Sequence, residues 1–355
     1  MAKIDRLLDV LLEKKATDLH LRVGAPPMVR LKGELIAIAE QPLEAGEMDN
    51  LLMEIVSLEQ RSRVLDEHEL DFAYGYAQKA FRGNYFHTIR GIAGVLRRVP
   101  LKIPALADLH LPETLSSLVE RRSGLVLVTG PARCGKSVTL SSMIQHLNVT
   151  RGCHVVSIED PIEFVHEPRK AQITQREVGL HAPSFAAALR AAIADDAEVI
   201  ALSDFPDHHT MRLALETASA GVLVIGTMAT PNATTTLERI VEDAPVADRP
   251  HLRVLLSRTL CGVASQQLVE LADGKGRVAA VEIVLASRAV REAIALGQPL
   301  NLPSLVLASE LTGMQTMDMA LEKLVGSGLI TPAAALEKAA DRDAFLRLGG
   351  KTSRM

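Results

Sequence analysis

The sequence predicts an α/β chain of two domains. Residues 1–108 read as a mixed α+β domain, and residues 109–355 as a P-loop domain around a central, mainly parallel sheet. Three observations carry that prediction. Gly130, Gly135, Lys136 and Ser137 complete the phosphate-loop pattern G-x-x-x-x-G-K-[ST] between an apolar run and a helical pattern. After Leu109, short apolar runs alternate with helical spacing, as in a parallel sheet flanked by helices. Before Leu109, strands that alternate in polarity are mixed with amphipathic helical stretches.

Along the chain, Ile4, Leu7, Leu8, Leu11 and Leu12 share one face of a helix expected over Ile4 to Lys14. Asp18 to Val23 and Pro27 to Leu31 read as short strands around a Gly24-Ala25-Pro26 turn. Met48 to Val64 returns to helical spacing, and Leu70 to Tyr76, Phe81 to Ile89 and Gly94 to Val99 alternate as strands. Pro100, Pro104 and Pro112 punctuate the expected linker, with the boundary near Leu109. Apolar strands follow at Gly124 to Thr129, His154 to Ile158, Val199 to Ser203 and Val222 to Thr227, each succeeded by a helical pattern. Helices are expected at Arg249 to Val263, Ala289 to Leu296 and Asp318 to Ser327.

Composition narrows the class. A net charge of −4, with Lys and Arg dispersed, argues against a nucleic-acid surface, and 3% aromatic residues leaves little for base stacking. The N-terminal residues carry charges throughout and apolar runs elsewhere are short, so neither a secretory signal nor membrane insertion is expected. A cytoplasmic protein follows. Cys134, Cys153 and Cys261 are an odd number at no metal-like spacing and read as reduced.

The loop itself implies ATP and Mg²⁺. Backbone N–H groups from Gly130 through Arg133, Cys134, Gly135, Lys136 and Ser137 to Val138 would cradle phosphate oxygens at the positive end of a helix. Lys136 would reach the β/γ-phosphates and Ser137 would ligate Mg²⁺. Cys134 sits where a thiol pKa can fall, or else is an unreactive filler.

The sequence Glu159-Asp160-Pro161-Ile162-Glu163-Phe164-Val165-His166, followed by Gln175-Arg176-Glu177-Val178-Gly179, resembles the acidic box and next segment of PilT-type motor ATPases, which retract type IV pili. Gly313-Met314-Gln315-Thr316-Met317-Asp318 resembles that family's GMQTLD segment. Asp18-Leu19-His20-Leu21 and Gly24-Ala25-Pro26-Pro27 resemble its N-terminal domain. On these segments the chain is identified as a divergent member of that family. The resemblance implies a hexameric ring, with a PAS-like N-terminal domain and a RecA-like C-terminal domain that close over ATP. It implies Glu163 and Asp204 as catalytic carboxylates, Glu159 and Asp160 with Ser137 around Mg²⁺, and Arg82 and Arg97 as arginines brought to the phosphates. The implied partners are further copies of the chain or a paralogous ATPase in a mixed ring, and a pilus platform protein at the inner membrane face.

Departures from the family pattern bear on the chemistry. Where the family reads close to GEMRD, this chain has Ser203-Asp204-Phe205-Pro206-Asp207, so the usual glutamate is Asp204. Two readings of this segment stand: Asp204 orients the attacking water at shorter reach, or Asp204 or Asp207 caps a helix starting near His208. In Gly221 to Thr230 the histidines of a pattern resembling GHLVFGTLHT are replaced by Val222 and Ala229. Arg133 and Cys134 stand in the loop where the family reads GPTGSGKST. Ala289 to Ile294 falls where the family carries a motif resembling AIRNLI, with Arg291 either part of that motif or an exposed residue of a core helix. Three functions compete: an ATP-driven retraction motor; a degenerate paralogue that binds nucleotide with little or no hydrolysis and serves as a regulatory or structural subunit; and a ring with no pilus partner that serves a different envelope machine.

Overall fold

A computed structural model describes residues 2–31, 33–77, 79–99, 103–308, 313–342 and 345. The chain packs as two compact units, Met1–Lys102 and Ile103–Met355. The division falls a little ahead of Leu109 because Leu106 is buried with Leu115, Leu118 and Val119 in the core of the second unit. Of the linker prolines, Pro100 lies outside the described residues.

The first unit runs α1 (Lys3–Glu13), β1 (Asp18–Leu21), β2 (Met28–Leu31), β3 (Glu34–Ala37), α2 (Ala45–Met53), α3 (Leu58–Glu67), β4 (Glu69–Tyr76), β5 (Lys79–Thr88) and β6 (Gly91–Arg98). The helix expected over Met48 to Val64 is two helices. Ser57 accepts the Gln60 N–H while the Gln60 side chain accepts the Ser57 N–H, and this reciprocal capping starts α3 afresh. Among the described residues the strands form a six-stranded antiparallel sheet in the order β3-β2-β1-β6-β5-β4. Alternation separates its faces. Leu19, Leu96, Phe81, Tyr85, Leu70 and Phe72 are buried with Ile4, Leu8 and Leu11 of α1. On the other face, register places Arg30, Asp18, Arg97 and Arg82 in one row across four strands.

The second unit runs α4 (Thr114–Val119), β7 (Gly124–Thr129), α5 (Lys136–Thr150), β8 (His154–Glu159), β9 (Gln172–Glu177), α6 (Phe185–Ala194), β10 (Val199–Leu202), α7 (His208–Ser219), β11 (Leu223–Met228), α8 (Ala233–Glu242), α9 (Arg249–Thr259), β12 (Leu260–Glu270), β13 (Arg277–Leu285), α10 (Arg288–Leu296), α11 (Leu302–Ala308), α12 (Met317–Gly326) and α13 (Pro332–Lys338). Its sheet has the order β13-β12-β7-β11-β10-β8-β9, parallel except for the antiparallel β12–β13 pair. Every residue of β7, β10 and β11 is buried, because both faces are covered. Leu125, Leu127, Ile200, Leu202 and Val224 pack under α6, α7 and α9, while Val126, Val128, Val199, Ala201 and Ile225 pack under α4 and α5.

The helix expected over Arg249 to Val263 ends at Thr259, and Leu260 to Val263 begin β12. Leu260 and Val263 are buried beside β7, a placement that outweighs continued helix, and Gly262 is a poor helix residue. Arg291 fixes this junction. Its guanidinium donates to the carbonyls of Ser257, Arg258 and Leu260 at 2.6, 2.9 and 2.9 Å and to Ala286 at 3.0 Å, so Arg291 is engaged rather than displayed on the surface.

The Gly313–Asp318 segment also has a structural account. Gln315 and Ile283 exchange both backbone hydrogen bonds, and Gln315 Nε2 donates to Val281 O at 2.7 Å. Thr316 caps α12, and Asp318 accepts from Ala340 and Asp341 N–H. Beside it, buried Glu282 accepts the Ala233 N–H at 2.9 Å at the start of α8. Glu282→Ala strips that acceptor and is expected to lower unfolding stability by about 1 to 3 kcal/mol. Urea unfolding monitored on the second unit checks this, and a loss under about 0.5 kcal/mol would refute the cap.

Candidate functional site

β7 delivers the chain to Gly130, whose φ of 143° suits glycine. A Cβ there would collide with the Gln266 carbonyl and come within 2.6 Å of Cys134 Sγ, so the loop lies against β12. Gln266, almost fully buried, grips it from that strand. Its Nε2 donates to Cys134 O at 2.7 Å, and its Oε1 accepts from Thr139 Oγ1 at 2.9 Å. One residue earlier, Thr129 and Ser265 hydroxyls meet at 2.7 Å. Gly135, at φ 93°, opens α5 without any side-chain cap, which leaves the positive helix end to an anion. Arg133 adopts φ 64° where a glycine would be unstrained, and its side chain is exposed.

Lys136 folds back over the loop, its Nζ donating to Gly130 O and Pro131 O, both at 2.9 Å. Ser137 Oγ donates to Glu163 Oε1 at 3.0 Å. Lys136, Ser137, Glu159, Asp160, Glu163 and Asp204 line one cavity of about 230 Å³, together with Ser203, Thr227 and Ala229. Hydroxyl and carboxylate oxygens so grouped suit a hard cation such as Mg²⁺. Among the described residues no set of three or more His, Cys, Asp and Glu groups is arranged to hold an ion unaided. Such an arrangement fits an ion completed by phosphate oxygens and water.

Glu159 is buried at the rear of the cavity, accepting from Ser157 Oγ at 2.8 Å and Gln175 Nε2 at 3.1 Å. Burial raises its pKa, and the neighbouring Glu163 charge adds to the effect, so Glu159 holds a proton more readily than an exposed carboxylate.

The two readings of the Asp204 segment separate here. Asp207 accepts the Thr210 N–H at 2.6 Å and caps α7, while Asp204 lies exposed in the cavity wall opposite the loop residues. The two histidine positions separate as well. Ala229 lines the cavity. Val222 accepts the Gly124 N–H at the start of β7, the strand end away from the loop. Strand rise puts about 20 Å between them, so the Val222 replacement cannot itself act at the phosphates.

Arg82 and Arg97 face each other across β5 and β6 in the first unit. Arg97 Nε donates to buried Asp18 at 2.6 Å, and Arg82 pairs with Asp71 at 3.5 Å. Burial raises the Asp18 pKa, but the Thr17 hydroxyl and Arg97 outweigh it and leave the carboxyl below its ordinary value. Cys134 is buried, and burial raises its pKa beyond what Lys136 offsets, so of its two readings the unreactive filler is the one supported. Val138 follows Ser137 in the first turn of α5.

Sequence reasoning missed Gln266, Ser203 and Thr227. Gln266 sits far from the loop in sequence and in no phosphate-binding motif, and its signal is a polar residue within an otherwise apolar strand.

A phosphate loop at the end of a buried parallel strand, facing an acidic wall, defines a RecA-like P-loop fold. Residues 5–299 match the family described as Type II/IV secretion system protein. The chain belongs to this family, in its PilT-type branch. It is 40% identical over 320 residues to a twitching motility protein of Neisseria gonorrhoeae, covering 90% of this chain and 86% of the relative. It is 39% identical over 337 residues to the type IV pilus retraction ATPase PilT of Pseudomonas aeruginosa, covering 95% and 98%. The crystal structure of the pilus retraction motor PilT with bound ADP superposes with a TM-score of 0.90 at 37% identity, covering 98% of this chain and 100% of that one. No helix among the described residues is long and apolar enough to cross a membrane.

His166, at the end of the acidic box, is buried, with Nδ1 3.3 Å from Gln145 Oε1 and Nε2 without a hydrogen-bond partner. Burial lowers its pKa from 6.5 to about 4. Between those values the unfolded chain binds a proton that the folded chain refuses, so stability is full above about pH 6.5 and declines toward pH 4. The His166 contribution is expected to reach about 3 kcal/mol. Comparing unfolding of the protein and His166→Gln across this window checks it; parallel pH profiles would refute it.

Proposed function

We propose that this chain is an ATP-driven motor of type IV pilus retraction. The observation that carries the reading is the single cavity joining Lys136 and Ser137 of the loop to Glu163 and Asp204 of the acidic wall. Similarity over nearly the whole chain to an ADP-bound pilus retraction motor supports it. The degenerate-paralogue reading is not favoured, because the relatives at 39–40% identity are a retraction ATPase and a twitching motility protein.

On this reading the loop N–H groups from Arg133 to Val138 receive the phosphates of ATP. Lys136 turns from the Gly130 and Pro131 carbonyls to the β/γ-phosphates. Ser137, Glu163, Glu159 and Asp160 would hold Mg²⁺, directly or through water, and the ion would supply positive charge beside the phosphates. Asp204 and Glu163 orient the attacking water. Arg82 and Arg97 exchange their carboxylate partners for phosphate, a role suited to permanent charge and forked donors. On this reading residues 1–108 are the PAS-like N-terminal domain and residues 109–355 the ATPase domain of the motor. Six such chains, alone or with a paralogous ATPase, form a cytoplasmic ring that works on a platform protein at the inner membrane face.

Phosphate release and nucleotide affinity measured on one sample test the reading. The protein is expected to release phosphate from MgATP, and Lys136→Ala to abolish both binding and turnover; unchanged affinity in Lys136→Ala would defeat the site. Asp204→Glu lengthens the wall carboxylate by one methylene and is expected to raise kcat about tenfold or more, with nucleotide affinity little changed. A kcat indifferent to that change would remove Asp204 from the chemistry.

A further inference from the structure

Between β8 and β9 the chain runs irregularly from Asp160 to Ala171, so its backbone N–H and C=O groups must be met outside any helix or sheet ladder. Two side chains of the edge strand β9 meet several of them. Gln175 and Glu177, two residues apart, face the same side of that strand. Gln175 Oε1 accepts the His166 N–H at 2.8 Å, while its Nε2 donates to Phe164 O at 2.8 Å and to Glu159 Oε1 at 3.1 Å. Glu177 Oε2 accepts the Ile162 N–H at 3.0 Å. Glu163 therefore stands between two pinned neighbours, Ile162 and Phe164, with its own Oε1 accepting from Ser137 Oγ at 3.0 Å.

We propose that Gln175 is a positioning residue for hydrolysis, which with Glu177 fixes where Glu163 stands in the cavity. The proposal rests on the hydrolytic reading above. Neither Gln175 nor Glu177 lines the cavity, so both act through the acidic box. A primary amide has two N–H donors and a carbonyl acceptor, and all three kinds of site on Gln175 are engaged by one loop. A carboxylate at 175 could accept from His166 but could donate to neither Phe164 O nor Glu159. Placement matters because a group about 1 Å out of line can cost about 100-fold in rate. The phosphate loop is held independently, by Gln266 on β12, and four strands separate β12 from β9 in the sheet. Loosening the box from β9 therefore leaves the loop seated.

Turnover, ADP affinity without Mg²⁺ and amide hydrogen exchange, measured on the whole protein and on Gln175→Met, test the assignment. Methionine keeps the length of the side chain and removes its hydrogen bonds. The change is expected to lower kcat about 10- to 100-fold and to speed exchange across residues 160–167, with ADP affinity and exchange across 130–138 unaltered. Glu177→Met is expected to lower kcat in the same way, and Glu177→Gln, which keeps an acceptor for the Ile162 N–H, to recover most of that loss. Unchanged exchange across 160–167 would remove the grip, and faster exchange there with unchanged kcat would remove its role in the chemistry. A parallel loss of ADP affinity, or equal losses in Glu177→Met and Glu177→Gln, would make β9 a general prop of the fold, and the proposal falls. Absence of turnover in the unaltered protein overturns the hydrolytic reading and the assignment with it; the exchange difference distinguishes that failure from failure of the grip.

Discussion

The seating of the phosphate loop on β12 is the constraint on which the site depends. Gly130 has no room for a side chain against the Gln266 carbonyl, and the Gln266 amide holds Cys134 O on one side and Thr139 on the other. Gln266 reaches both because β12 runs parallel to β7 in a register that pairs Ser265 with Thr129. That register depends in turn on where α9 stops. Arg291, through the carbonyls of Ser257, Arg258 and Leu260, ends the helix and turns Leu260 into the sheet. A motif that resembles one associated with retraction thus contributes a residue that sets the strand beneath the nucleotide loop. The two are linked by covalent register and four hydrogen bonds of one guanidinium, which is a mechanical connection, not mere proximity.

Much of this was legible in the sequence because the signals were local. The loop pattern, the mainly apolar runs of β7, β10 and β11, and the alternating β4 and β5 each declare themselves within a few residues. What the sequence concealed was decided by distant partners. Leu260 to Val263 continue a helical pattern and become strand only because β7 lies beside them. Met48 to Val64 keep helical spacing across a break that Ser57 and Gln60 impose by capping each other. Asp204 and Asp207 were interchangeable as helix caps on sequence grounds, and a single 2.6 Å bond from Thr210 N–H to Asp207 separates them. Gln266 carried no motif, since its work is to bond a loop more than a hundred residues away in sequence.

The departures from the family pattern look alike in sequence but are unlike in space. Val222 lies at the start of β11, remote from the loop, and is part of the packing beneath α7. Ala229 and Asp204 share the cavity wall, and a second, smaller cavity of about 160 Å³ also touches both. Phe205 covers Gly226, where any Cβ would collide with its ring, so the chain on either side of Asp204 is held: Phe205 against β11, and Ser203 to Thr227. Held at both ends, Asp204 has little freedom to advance toward the loop, and its reach is set by its own length. A single methyl at Ala229 leaves the space beside it open, where an imidazole would fill it and present a charged or hydrogen-bonding edge. Residues 204 and 229 border one small volume, so on the proposed hydrolytic reading their effects would be coupled and would not sum as independent losses.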